Sequence, residues 1–135
     1  MTRKWKPLAA LALVGVVASP ADAEWQGTKW GMTEQQIGSS GAPTRYKIGT
    51  YDFNVTYEYE NHRLVQITLD LISAPLCEGL ISDVSTKYGQ PAGIDRPIPD
   101  ITKFKWSDPA SGNMIEISQF PSKCFLLYKE PMKGL

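Results

Sequence analysis

The sequence predicts an α+β domain: an antiparallel sheet of about five strands with two helices packed on one face. Three observations carry this. Residues 53–71 alternate apolar and polar side chains with a period of two, as do runs after residue 101, and that period belongs to strands. Cys77, Leu80, Ile81, Val84 and Tyr88 instead recur at three- and four-residue spacing, the apolar stripe of a helix. Thr33 and Gln36 stand at the spacing of a capping box, which opens a second helix. In chain order the elements read α-β-β-α-β-β-β, and each helix needs a sheet to cover its stripe.

The first helix starts at Thr33, with Met32 and Ile37 placed for a hydrophobic staple, and stops early because Gly38, Gly41 and Pro43 follow. A short strand is read from Arg45 to Gly49, outside the main five. Next, Phe53, Val55, Tyr57 and Tyr59 alternate with Asn54, Thr56, Glu58 and Glu60, and Val65, Ile67, Leu69 and Leu71 alternate with Gln66, Thr68 and Asp70. A three-residue loop, Asn61-His62-Arg63, with a bulge pairs Tyr59 with Val65, Tyr57 with Ile67 and Val55 with Leu69, keeping one face apolar. The second helix runs from about Pro75 to Tyr88. Pro75 suits its first turn and Gly89 the left-handed position after its end. Gln90 to Asp100 holds three prolines and reads as an extended loop. Three strands follow, Ile101–Trp106, Asn113–Ser118 and Lys123–Lys129, with turns at Asp108-Pro109, Ser111-Gly112 and Pro121-Ser122. Met132 to Leu135 reads as a loose tail. A helix before a hairpin and a helix before a meander form two comparable units, the pattern of a pseudo-duplication.

Trp30-Gly31-Met32-Thr33 opening a helix, the Tyr- and Phe-rich hairpin, and Tyr88-Gly89-Gln90-Pro91 closing a helix resemble a loose class of small exported bacterial α+β proteins. Many members of that class carry no assigned activity. The resemblance covers most of the chain after residue 23 and implies the fold; its motifs are caps, turns and core aromatics, so it transfers no catalytic residue.

Residues 1–23 have the pattern of a cleaved signal peptide. Arg3, Lys4 and Lys6 precede an apolar run from Leu8 to Ala18, and Ala21 and Ala23 supply the small residues before cleavage at Glu24. The run is short of the roughly 20 apolar residues that span a bilayer. No cysteine stands at the cleavage point to carry a lipid. The expected product is therefore one domain, residues 24–135, in the periplasm or outside the cell, not embedded in a membrane. The chain balances 14 basic against 14 acidic residues, and losing Arg3, Lys4, Lys6 and Asp22 leaves 11 against 13, a formal net of −2. Without a concentrated block of Lys and Arg, no electrostatic footprint for nucleic acid exists. Cys77 and Cys124 are the only cysteines and in an oxidising compartment read as one disulfide, too far apart for a C-x-x-C redox pair.

Chemistry-bearing motifs are scarce. His62 is the only histidine and sits at a hairpin tip, where no partner braces an imidazole for catalysis. One His and two paired Cys do not make a zinc site. Glu58, Glu60 and Asp70 share the polar face of the hairpin, but its register sets Glu58 and Asp70 roughly 13 Å apart along the strands, beyond glycosidase spacing. Asp95, Asp100 and Asp108 decorate loops without calcium-loop spacing. Gly38-Ser39-Ser40-Gly41 lacks the order of a nucleophile elbow, and no phosphate-cradling glycine motif occurs, so no cofactor is expected. Lys103 and Lys105 form a small basic strip beside Arg96. Trp25, Tyr46 and Tyr51, on loops or element edges, are the candidate binding residues, since such rings stack on sugars or anchor a partner. Trp30, Trp106, Tyr57 and Tyr88 are assigned to the core.

No catalytic or metal-ligating residue emerges. The expected function is a non-catalytic interaction module of the bacterial envelope with a protein partner there or outside the cell, among them the inhibitor of a hydrolase. The alternatives are a small glycan- or peptide-directed hydrolase using carboxylates, and a small-ligand binder with a pocket between helices and sheet.

Overall fold

The computed structural model describes residues 25–131; the expected leader, residues 1–23, and the expected tail, residues 132–135, lie outside the described residues. Thr33 caps the first helix, α1 (Glu34–Ser39), through the reciprocal box its sequence encodes: its hydroxyl accepts from the Gln36 amide, and its amide donates to the Gln36 side chain. Three strands follow, β1 (Arg45–Ile48), β2 (Tyr51–Glu60) and β3 (Arg63–Leu71). A 3₁₀ turn (Ala74–Leu76) leads into α2 (Cys77–Tyr88), which stops at Gly89 with φ 92°, a conformation that favours glycine. Four strands complete the chain: β4 (Gly93–Ile98), β5 (Ile101–Ser107), β6 (Met114–Gln119) and β7 (Cys124–Lys129). Among the described residues, no helix is long and apolar enough to cross a membrane.

The strands form one antiparallel sheet in the order β1-β2-β3-β7-β6-β5-β4. Each helix is therefore followed by a meander, and the last strands of the two meanders, β3 and β7, meet at the centre. The α+β class stands, but the sheet has seven strands where about five were expected, and the order is α-β-β-β-α-β-β-β-β. The short strand read from Arg45 joins as the β1 edge. The prolines of residues 90–100 argued for a loop, yet β4 forms there. Edge strands tolerate proline because one row of amides needs no partner, and β4 pairs only with β5, with an irregularity between Asp95 and Ile98 that spans Pro97.

The hairpin turn also differs from expectation. Its two residues, Asn61 and His62, adopt φ 52° and 62°, so the tight turn forms and Glu60 pairs with Arg63 and Tyr59 with Leu64. A bulge beside Glu58 and Tyr59 then restores the pairs Tyr57–Ile67 and Val55–Leu69, so the expected Tyr59–Val65 pair is replaced. The apolar face survives because the bulge absorbs the extra residue. His62 holds a left-handed backbone that costs a side-chain-bearing residue about 1–2 kcal/mol, and only an exposed contact to Glu34 (3.3 Å) offsets it. His62→Gly is expected to raise the unfolding free energy by about 0.5 kcal/mol after glycine's own entropy cost. Urea titration checks this, and a loss of stability would show that the imidazole contact dominates.

The inner face of the sheet buries Phe53, Val55, Ile67, Leu69, Trp106, Ile115, Ile117 and Leu126. Ile37 of α1, Cys77 and Leu80 of α2, and Trp25 and Trp30 of the segment before α1 complete the same cluster. The Trp30 indole donates to Asn113 Oδ1 (2.9 Å) and the Trp106 indole to the Gly89 carbonyl (2.9 Å), so both rings bury their area without losing a hydrogen bond. Cys77 and Cys124 lie at disulfide distance, joining α2 to β7.

Candidate functional site

Strand alternation sends the even-numbered side chains of β2, and Gln66, Thr68 and Asp70 of β3 beyond its bulge, to the face opposite the helices. Register carries that face across β7, β6 and β5: Gln66 pairs with Lys129, Thr68 with Leu127, Asp70 with Phe125, Ser118 with Lys103, and Glu116 with Lys105. A shallow groove of about 320 Å³ runs over five strands here. Phe120, Phe125 and Leu127 line its apolar part, with Glu58, Gln66 and Thr68 on one flank and Lys103, Glu116, Ser118 and Lys129 on the other.

Glu116 is the unexpected member. It lies on the face opposite the two described helices, yet its exposure is 6 %, as is that of Ser118. Ser118 Oγ donates to it (2.8 Å), Lys129 Nζ donates to its other oxygen (3.2 Å), and Lys103 adds charge nearby. Burial pushes the Glu116 carboxyl up, but the hydrogen bonds from Ser118 and Lys129 and the lysine charges outweigh it and hold the pKa below the ordinary value. A carboxylate held ionised in this way is a weak base toward the Ser118 hydroxyl. Because the folded pKa lies below the unfolded one, Glu116 contributes stability above the ordinary glutamate value of 4.5 and loses it as pH falls through the depressed folded pKa. Glu116→Gln is expected to cost about 2 kcal/mol at neutral pH and almost nothing at the acid end. Melting both proteins from neutral pH downward checks this; curves that stay parallel would exclude linkage at Glu116.

The remaining charges sort by partner. Glu58 accepts from Gln66 and Thr68, and Asp70 accepts from Lys123 Nζ (2.8 Å), which also lies 5.5 Å from the centre of the Phe125 ring. Phe120 and Phe125 meet edge to face with centroids 5.7 Å apart. Lys105 makes no ion pair among the described residues. Lys129 and Lys103 thus attend one carboxylate at the β5–β7 end, while Glu58 lies at the β2–β3 end.

The residues singled out from sequence lie on the other side. Trp25 is buried and packs against Tyr46 (centroids 5.1 Å), Tyr57 (6.1 Å) and Tyr128 (6.5 Å), while Tyr46 accepts from Gln26 Nε2. Tyr51 is apart from that cluster and donates to Asp83 (2.7 Å). Burial pushes the hydroxyls of Tyr57 and Tyr128 up to about 12, so both stay neutral. Lys103 and Lys105 do share a face, as read, though their neighbours there are Ser118 and Glu116, across β6. Asp108 is used within its own turn, accepting from the Ala110 amide and the Ser111 hydroxyl. Among the described residues, no three His, Cys, Asp or Glu side chains gather as metal ligands. Sequence reasoning passed over Glu116, Ser118 and Lys129 because Glu116 stands between two isoleucines; the alternation that buries Ile115 and Ile117 was the available signal. No protein-family model, curated protein or solved structure matches this chain.

Proposed function

We propose that the chain is a non-catalytic binding module of the bacterial envelope, exported and freed of its leader, which holds a partner protein on the open face of its sheet. The observation that carries this reading is the groove over β2, β3, β5, β6 and β7, where half-buried aromatic and aliphatic side chains lie between a lysine-rich flank and Glu58. A solvated outer sheet face is ordinarily polar; apolar side chains on such a face, ringed by charge, match the make-up of interface centres. The occupant that fits is a protruding loop with an apolar side chain for Phe125 and Leu127 and an acidic residue for Lys103. If that loop belongs to the rim of a hydrolase cleft, binding blocks the enzyme. The hydrolase alternative has less support, since Glu58 and Glu116 stand three strands apart, roughly 14 Å at the backbone, beyond the usual carboxylate pair. The pseudo-duplication belongs to the same reading: two helix-and-meander units joined through their last strands produce the wide sheet that the groove requires.

The test is affinity capture of envelope proteins on the tagged protein and on two variants. Leu127→Thr combined with Lys103→Gln alters the groove without adding a charge opposite Glu116, and Thr86→Glu alters the helix side. The reading expects retained proteins to be lost from the groove variant and kept by Thr86→Glu, with both variants melting close to the parent. Equal capture by parent and groove variant, or none by the parent, overturns it.

A further inference from the structure

A second hollow lies on the helix side, beneath the C-terminal half of α2. It encloses about 230 Å³, comparable to one large amino-acid side chain and smaller than a drug-sized pocket. Leu80, Val84 and Leu126 make its apolar wall, and the Tyr88 and Tyr128 rings separate it from a more polar hollow of about 220 Å³ beside Trp25. Two charges line it, Asp83 and Lys87, one helical turn apart on α2. At this spacing an acid and a base on a helix surface ordinarily pair. Here no ion pair joins them; the Lys87 ammonium lies 5.2 Å from the centre of the Tyr88 ring instead.

The pair is held open by a specific device. Tyr51 Oη donates to Asp83 Oδ2 (2.7 Å), and it reaches that position across Gly79. A Cβ on residue 79 would stand 2.9 Å from the Tyr51 hydroxyl, so any larger residue displaces the ring. Glycine is disfavoured inside a helix relative to alanine, and the room it leaves for Tyr51 is what this position gains. Asp83 is thereby tied to the β2 side of the hollow, and among the described residues its second oxygen has no donor and Lys87, on the same rim, has no carboxylate partner.

We infer that this hollow binds a free α-amino acid with an apolar side chain, its ammonium on Asp83, its carboxylate on Lys87 and its side chain against Leu80, Val84 and Leu126. A zwitterion matches two opposite charges held apart, whereas a simple anion meets Asp83 and a simple cation meets Lys87. The rim is solvated, so affinity in the range of about 0.1–1 mM is expected. This site is independent of the open sheet face.

The experiment is a titration of the disulfide-bonded protein with L-leucine and L-phenylalanine, followed by amide NMR shifts and calorimetry. Saturable shifts should map to α2 and β7. Lys87→Gln and Asp83→Asn are each expected to weaken binding about tenfold or more, and both exposed positions leave the fold intact. N-acetyl-leucine and leucine methyl ester, each lacking one charge, should weaken similarly, which also separates a free amino acid from a peptide terminus. Gly79→Ala, by displacing Tyr51 and letting Asp83 turn to Lys87, should weaken both ligands while the protein stays folded. The assignment is overturned by the absence of saturable shifts at millimolar ligand, by unchanged affinity in Lys87→Gln or Asp83→Asn, or by equal binding of the acetylated or esterified amino acid.

Discussion

Replacing both cysteines, Cys77→Ala with Cys124→Ala, is expected to lower the unfolding free energy by about 4 kcal/mol and the melting midpoint by roughly 15–30 °C. The two residues are 47 apart in the sequence, and tying them together removes much of the unfolded chain's freedom while the folded state keeps its contacts. Both ends are buried, Cys77 at 4 % and Cys124 at 0 % exposure, so the variant also leaves small voids that add to the loss. Against a total stability of about 5–15 kcal/mol, that leaves a marginal domain. Guanidinium titration of parent and double variant measures the difference. A change below about 1 kcal/mol would mean that the unfolded chain is already compact around these residues. Mass measured before and after reduction should differ by two hydrogens, which checks the bond itself.

Trp106→Ala is expected to cost about 3–5 kcal/mol through lost burial and the cavity left behind. Trp106 is 2 % exposed, stacks on Phe104 with centroids 6.4 Å apart, and donates to the Gly89 carbonyl where α2 ends. The substitution removes the ring that fixes the helix end to β5 and strips the carbonyl of its donor. Trp106→Phe separates the two contributions: it keeps most of the apolar area and should lose about 1–2 kcal/mol, chiefly the hydrogen bond. Urea unfolding followed by circular dichroism measures both. A cost for Trp106→Ala no larger than that for Trp106→Phe would place the ring's contribution outside the core.

These two positions were legible before the fold was known, and the reason is physical. A cysteine pair admits one partner each, and a tryptophan in an alternating run has a core to fill. The register of β2 and β3 was legible for the same reason: only pairing Tyr57 with Ile67 and Val55 with Leu69 keeps the apolar set together. The turn was not, because Asn61-His62 lacks the glycine that usually announces two left-handed residues in succession. The β4 edge was hidden by Pro91, Pro97 and Pro99, whose cost depends on whether a neighbouring strand exists. Less of the candidate site was legible. Lys129 meets Glu116 only through the β6–β7 register, and the Tyr51–Asp83 bond joins two elements whose relative position no local pattern encodes.

The central seam between β3 and β7 has a kinetic consequence. Each meander is built from contacts between neighbours in the chain, whereas Ile67 and Tyr128, paired across the seam, are about sixty residues apart. Loop closure makes such a pairing the slow step, so the hairpins of each half form first and the seam closes over them. Until it closes, β3 and β7 present their unpaired edges together with the most apolar strands of the molecule. A chain at that stage is open to exchanging halves with a second copy. The Cys77–Cys124 bond ties β7 to α2 inside the second unit and leaves the two halves joined only through residues 72–76, so the speed of seam closure relative to encounter with a second copy decides whether the protein emerges as a monomer.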